Sequence, residues 1–223
     1  MSSDELVEKL GTQIDSELLQ LAITHSSFAY EKGGSNNERL EFLGDSILGQ
    51  LVAVEVFKLF PDATEGDLTR VKNSVVSAPA LATAANRIEL GKHLRLGKGE
   101  SASGGAAKIN VLADAFEAII GAAYIDGGID SAKELVSRHI FPLISSPESI
   151  RESSDPKTAL IELALRRGMD QISYEISATG PEHERVYTAV CFSGELELGI
   201  GSAGTKRSAE TEAAKSALAS LNR

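Results

Sequence analysis

Five carboxylates are spaced so that two short stretches could hold a metal ion. In NERLEFLGDSILG (37–49), Glu38, Glu41 and Asp45 fall at i, i+3 and i+7. A helix lines those positions up along one face. Leu40, Leu43, Ile47 and Leu51 form a separate apolar stripe. In DAFEAIIGAAYIDGG (114–128), Asp114 and Glu117 are three apart, in a run that is otherwise mostly Ala, Ile and Phe. Like charges at helical spacing repel by roughly a few tenths of a kcal/mol per pair, and by more in an apolar neighbourhood. A divalent cation is the simplest group that offsets this. Small residues at Gly44, Ala115, Ala118 and Gly121 would let the two helices approach closely. Up to five carboxylates would then surround one point. All-oxygen ligands favour Mg²⁺, with Mn²⁺ as a substitute, over zinc, and no Cys/His cluster competes. The plain alternative is a set of solvated acids on amphipathic helices. It suits any one carboxylate better than two spaced sets inside apolar helices.

The elements that must position these residues are helical through about residue 144. Apolar residues at helix spacing run over Glu5 to Leu10 and Glu17 to Ile23. AYEKGGSNN (29–37) reads as a loop. A long helix is expected from Glu38 to about Leu59, with Asn37 as its N-cap, acidic residues suiting its positive end, and Pro61 beyond it. Thr64 to Val76 and Ala80 to Ile88 are further helices, and 91–108 is a mobile connection. Ile109 to Ile125 is a helix stopped by Gly127 and Gly128, and Ile129 to Ile144 is the last. SSPESIRESSDP (145–156) is polar, holds two prolines, and reads as a linker.

After it the hydrophobic period changes. Pro156 to Gly168 is helical. Ile172, Tyr174 and Ile176 alternate with polar neighbours, VYTAVCFS (186–193) is a second strand, and Leu196, Leu198 and Ile200 alternate in a third. Thr205 to Leu221 is an Ala-rich helix. The expected architecture is an all-α N-terminal domain (1–144), a linker (145–154) and a small α+β domain (155–223) of α-β-β-β-α order. Leu160, Leu163 and Ala164 should face the sheet, leaving Ile161 off that stripe.

Composition sets outer bounds. The 223 residues carry a formal charge of −10, which at first sight disfavours nucleic acid. The acid is unevenly placed, however: 14 Lys/Arg stand against 22 Asp/Glu before residue 155, and 8 against 10 from Asp155 to the end. Most of the excess lies with the carboxylate stretches. No run approaches the ~18 apolar residues of a membrane helix, so no membrane is expected. The acidic, amphipathic MSSDELVEKL is unlike a secretory signal, and the lone Cys191, in an apolar run, is expected in a core. A cytoplasmic location follows as the expectation.

NERLEFLGDSILG resembles the signature of the bacterial ribonuclease III family, and ADAFEAIIGAAYIDGG (113–128) resembles that family's second acidic motif. EGDLTRVKNSVVS (65–77) and LGKGE (96–100) match in order and spacing between them. DPKTALIELA (155–164), GPEH (180–183) and TKRSAETEAAKSAL (205–218) are similar to a double-stranded-RNA-binding domain. The resemblance implies an endoribonuclease that hydrolyses duplex RNA, leaves 5′-phosphate and 3′-hydroxyl ends, and serves ribosomal-RNA precursor processing and messenger-RNA processing and turnover. It implies metal coordination by Glu41, Asp45, Asp114 and Glu117, with Asp45 and Glu117 nearest the chemical step and Glu38 a further acidic residue of the site. No organic cofactor is expected. Such hydrolysis needs an activated water and a stabilised leaving oxygen, which two Mg²⁺ ions ~3.5–4 Å apart can supply. No side-chain nucleophile stands out. His25, in LAITHSSF, reads as a packing or capping residue, and His93 and His139 as structural.

A duplex cut requires two clusters, so the resemblance also implies a symmetric homodimer, with Phe42, Leu43 and Ile47 as interface candidates. A two-fold dimer matches the approximate two-fold symmetry of duplex RNA. RNA-binding domains of this kind span ~16 bp and read duplex shape. Glu162 and His183 match minor-groove contacts, and Lys206 and Arg207 begin the last helix, where backbone N–H groups add to phosphate attraction. The chain departs from the family in having Ile161 where Gln is common and in its slightly acidic RNA-binding domain. Two other classes fit parts of the pattern. One is a non-catalytic RNA-binding protein on the same fold, which usually lacks one or more of the carboxylates. The other is a structural cation-binding protein, which has no use for the second domain.

Overall fold

The computed structural model describes residues 3–222. The chain divides between Ser145 and Ser146 into two compact units. The first is built of eight helices among its described residues: α1 (Ser3–Leu10), α2 (Ser16–Ala22), α3 (Ser26–Lys32), α4 (Glu38–Leu59), α5 (Glu65–Val75), α6 (Ala78–Arg87), α7 (Lys98–Ala102) and α8 (Ile109–His139). Its extended pairing is limited to an isolated parallel bridge between Thr24 and Arg95. The core is centred on α4 and α8, where Leu48, Val52, Phe116, Ile119, Ile120 and Leu135 are fully buried. Polar faces remain outside, as the 3.6-residue period requires.

Three readings change here. The stretch 29–37 is a loop only from Gly33 onward, because His25 caps a helix over 26–32. The connection 91–108 is folded: it contains α7 and tight turns at Leu90–Lys92 and Gly105–Ala107, and Lys108 Nζ closes back on Glu100 at 2.7 Å. The glycines at 127–128 do stop the helix, as expected, and what changes is the end of the helix that follows them. The chain turns at Gly128 with φ 70° and ψ −162°, a conformation open to glycine, and then continues helically to His139, five residues short of the expected end.

The second unit contains α9 (Pro147–Ser154), α10 (Pro156–Arg166), β1 (Ile172–Thr179), β2 (Val186–Ser193), β3 (Leu196–Ala203) and α11 (Lys206–Leu221). The strands form an antiparallel sheet in the order β1-β2-β3, with Tyr174 opposite Cys191 and Val190 opposite Ile200. α10 and α11 cover one face through Leu160, Ala164, Ala213, Ala214, Ala217 and Leu218, packed with Ala189, Cys191 and Leu198. Cys191 is thus a core residue. The pairing skips one residue on β3, from Cys191↔Gly199 to Phe192↔Glu197. Such a bulge re-aims side chains. Leu198 turns into the core, while Leu196 and Ile200 stay exposed, so the simple alternation expected over 196–200 is broken.

The segment read as a linker is largely helical. Ser146 caps α9 by accepting from the Ser149 N–H at 3.2 Å, and Pro147 occupies the first turn, where its missing N–H costs nothing. α9 packs on α10 and α11. Asp155 joins α9 to α10 directly and caps the latter through Thr158 N–H at 3.2 Å.

Candidate active site

α4 and α8 touch at the level of the backbone. A Cβ on Gly44 would lie 1.8 Å from the carbonyl oxygen of Glu117, and one on Gly121 would lie 2.2 Å from that of Leu40. Only glycine fits at either point, so two of the small residues singled out in the sequence set the helix spacing. The crossing falls at the turns that carry Glu41 and Glu117. One oxygen each from Glu41, Asp114 and Glu117 lie within 4.8 Å of one another, all three side chains half-buried.

Among the described residues no lysine or arginine pairs with these three acids. Their electrostatics show the consequence. Burial, then the charges of Asp45, Asp114 and Glu41, push the Glu117 carboxyl up to about 7. Burial, then Asp114, Glu38 and Asp45, raise Glu41. Burial raises Asp114 as well, against an opposing effect of His25. Carboxyls crowded in this way resist ionisation until positive charge arrives. The donor set is oxygen only, partly withdrawn from water, and suits a hard divalent cation. On that chemistry the residues present fit Mg²⁺ or Mn²⁺.

The structure brings together three of the five acids. Glu38 and Asp45 are exposed and outside the close group. Glu38 stands in the first turn of α4, ahead of the crossing, and Asp45 follows Gly44 on the outward side. Both are near enough for their charges to act on Glu41. The start of α4 also differs from expectation. Asn37 already has helical φ and ψ, so its side chain makes no cap. Asn36 supplies one instead, accepting from Glu38 N–H at 3.2 Å. Asn37 is buried, and its N–H donates to the Thr24 carbonyl at 2.9 Å.

His25 does cap α3, its Nδ1 accepting from Ser27 N–H at 3.2 Å, and its charge also reaches Asp114 and Glu100. His139 is buried, with Nε2 3.0 Å from the Leu10 carbonyl and its ring edge-on to Phe116. Both uses are structural, as expected. Of the proposed interface residues, Phe42 is 77% exposed, Leu43 is half-buried, and Ile47 belongs to the unit's own core.

In the second unit Lys206 and Arg207 open α11 and are exposed. Thr205 caps that helix through Ser208 N–H at 3.1 Å. His183 is exposed in a turn over Glu182–Glu184, between β1 and β2. Glu162 lies on α10 and accepts from Arg151 Nη1 of α9 at 3.1 Å. Ile161 beside it is 52% exposed and Leu165, one turn on, is 79% exposed. Ile161 is therefore not a core residue. Arg151 is the residue that sequence reasoning missed. Its signal was Ser-Pro-Glu at 146–148, a helix start hidden inside a polar, proline-containing stretch.

An all-α unit with an acidic helix crossing, followed by an α-β-β-β-α unit, defines a class: a nuclease domain joined to a duplex-RNA-binding module. Residues 15–144 match the family model "Ribonuclease-III-like", and residues 156–221 match "Double-stranded RNA binding motif". A Ribonuclease 3 of Leifsonia xyli is 49% identical, covering 97% of this chain and 92% of that protein. One from Streptomyces coelicolor is 45% identical over 99% and 80%. The nuclease domain of a ribonuclease III from Campylobacter jejuni superposes with a TM-score of 0.60 at 37% identity, covering 63% of this chain and 97% of that one. The chain belongs to the ribonuclease III family, an enzyme class of double-strand-specific endoribonucleases.

Proposed function

We propose that this enzyme uses Mg²⁺, with Mn²⁺ as a substitute, held by Glu41, Asp45, Asp114 and Glu117, to hydrolyse duplex RNA to 5′-phosphate and 3′-hydroxyl ends. The observation that carries the reading is the convergence of Glu41, Asp114 and Glu117 within 4.8 Å, with no lysine or arginine among the described residues paired to them. A bound divalent cation supplies the positive charge that activates water and stabilises the leaving oxygen. Glu117, its carboxyl pushed up to about 7 by burial and the neighbouring acids, would release its proton to water on holding such a cation. Asp45, exposed at the rim, completes the set from the solvent side, where substrate must enter. Glu38 adds negative field without joining the close group. Half-burial at the Gly44–Gly121 crossing, where the backbones approach too closely for any side chain, keeps the acids close together.

The second unit supplies affinity. Lys206 and Arg207 contact phosphates at the start of α11, and Glu162 and His183 reach the minor groove. We further propose a two-fold homodimer, one cluster per subunit, with the exposed Phe42 at its interface. The Campylobacter jejuni structure is described as showing flexibility in a region involved in dimer formation of its nuclease domain, which supports this reading by kinship. No helix among the described residues is long and apolar enough to cross a membrane. Processing of ribosomal-RNA precursors and of messenger RNA, in the cytoplasm, is the role consistent with the family. Calorimetric titration with Mn²⁺ tests the site directly. Saturable binding by the parent, lost in Glu117→Gln, is expected. Equal binding by both would remove Glu117 from the site.

A further inference from the structure

The helix α9 stands where a tether was expected, and its placement touches the RNA-facing side of the second unit. It is fixed at both ends. Ser146 caps its start, and its end runs through the single residue Asp155 into α10. Its flank is tied down by Asn222 Nδ2, which donates to Glu152 at 2.9 Å. On this anchored helix Arg151 is only a quarter exposed. Its Nη1 meets Glu162 Oε2 at 3.1 Å, and its Nη2 lies 3.6 Å from Glu148. Glu162 itself is flanked on α10 by exposed Ile161 and Leu165. Neither of those side chains can exchange a hydrogen bond with a ribose. Between these two apolar residues Glu162 is the group that can accept from a ribose hydroxyl, and the direction of its carboxylate is held from α9.

We propose that Arg151 is a positioning residue for duplex RNA: it orients the Glu162 carboxylate to accept from a ribose 2′-hydroxyl, making α9 a working part of the RNA-binding unit. The inference rests on the reading of Glu162 as a groove contact. A carboxylate paired on one oxygen keeps its other lone pairs for a second donor. Its rotamer is already selected, so less entropy is lost when the ribose binds. The guanidinium also offsets the repulsion between the carboxylate and nearby phosphates. The 2′-hydroxyl separates RNA from DNA, so the effect of Arg151 is specific to RNA.

The test uses the full chain in EDTA, where cleavage is off, with a labelled duplex RNA of about 20 bp, long enough for the ~16 bp span of such a domain, and a duplex DNA of the same sequence. Arg151→Met keeps much of the stem's packing and removes the charge. It is expected to weaken RNA binding about fivefold while leaving DNA binding within twofold. Arg151→Lys should recover part of the loss and also serves if Arg151→Met fails to fold. Glu162→Gln should weaken RNA binding to a similar degree, and Arg151→Met added to it should cost nothing further. Equal losses for RNA and DNA in Arg151→Met, or full additivity with Glu162→Gln, would overturn the proposal in favour of a simple phosphate-attracting charge. Unchanged RNA affinity in Arg151→Met beside a weakened Glu162→Gln would overturn it too. An unchanged Glu162→Gln would instead sink the underlying groove-contact reading.

Discussion

Acidic side chains meet opposite conditions in the two units. On the helices of the second unit Glu162 is paired with Arg151, Glu210 with Lys157 and Glu212 with Lys215. At the α4–α8 crossing of the first unit Glu41, Asp114 and Glu117 are packed against one another, and no lysine or arginine among the described residues pairs with them. Elsewhere in that same unit Glu5 and Glu89 pair with Lys9, Asp67 with Arg70 and Glu100 with Lys108, and most other acids stand exposed in water. The acids of the crossing differ in being both half-buried and close together, on helices in backbone contact at Gly44 and Gly121. Self-paired acids leave a neutralised surface that can approach phosphate. Unpaired, half-buried acids store repulsion that a divalent cation relieves. Net charge therefore says little about what such a chain binds. The −10 of the whole protein conceals a cluster of half-buried acids that could hold a cation in one unit and several ion-paired helical acids in the other.

Breaking the unpaired cluster should have the largest effect. Glu117→Gln keeps shape but removes charge, and cleavage of duplex RNA should fall below about a thousandth of the parent rate in saturating Mg²⁺. Duplex binding should stay within a few-fold. A mutant cutting at a tenth of the parent rate would place the chemistry elsewhere. Gly44→Ala attacks the crossing itself. Its Cβ, 1.8 Å from the Glu117 carbonyl oxygen, must push α8 away, with a loss of about 2–3 kcal/mol in stability and at least tenfold in cleavage. Thermal melts and single-turnover rates read the two effects, and an unchanged melt would show that the helices are free to separate.

Removing the balanced unit is milder. A chain ending at Ser145 should fold and should cut only at low salt, because lost phosphate contacts matter most when counterions compete. Equal rates for the full and shortened chains at about 150 mM salt would contradict that division.

Proton linkage sharpens the same comparison. With Glu117 near 4.5 when unfolded and about 7 when folded, the folded state holds the extra proton in that window. Stability without metal should therefore fall as pH rises from 4.5 to about 7. A drop in melting temperature of roughly 3–6 °C is expected. Saturating Mg²⁺ should reverse it at the upper end and do little at the lower, and Glu117→Gln should flatten the profile. A pH-independent melt in the parent would mean the cluster is not strained.

The smallest expected effect concerns the face of α10 proposed to meet RNA. Ile161→Gln, at a position 52% exposed, restores a donor and acceptor beside Glu162. One hydrogen bond is worth ~0.5–1.5 kcal/mol, so duplex RNA affinity should rise a few-fold, with duplex DNA unaffected and stability unchanged. A lowered melting temperature with no gain in RNA affinity would exclude the contact.

Much of this was legible in the residues, and the reasons for the rest are physical. The i, i+3 spacing at 38, 41, 114 and 117 survives folding because helix geometry is local. The glycines at 44 and 121 announced a close crossing. Which acids would converge was not legible, since it depends on where along α4 the helices cross. Asp45 and Glu38 fell to either side of that point. The cap at Asn36, one residue early, and the bulge that turns Leu198 inward both follow from neighbouring chain segments. α9 was misread because a polar, proline-containing stretch reads as a linker, although Ser-Pro-Glu also starts helices.

The most direct test of the account is cleavage of a long RNA duplex and of its separate single strands, with Mg²⁺ and with EDTA, followed by analysis of the fragment ends. The account predicts fragments from the duplex alone, only with Mg²⁺, bearing 5′-phosphate and 3′-hydroxyl groups. Cutting in EDTA, or cutting of single strands at the duplex rate, would contradict it.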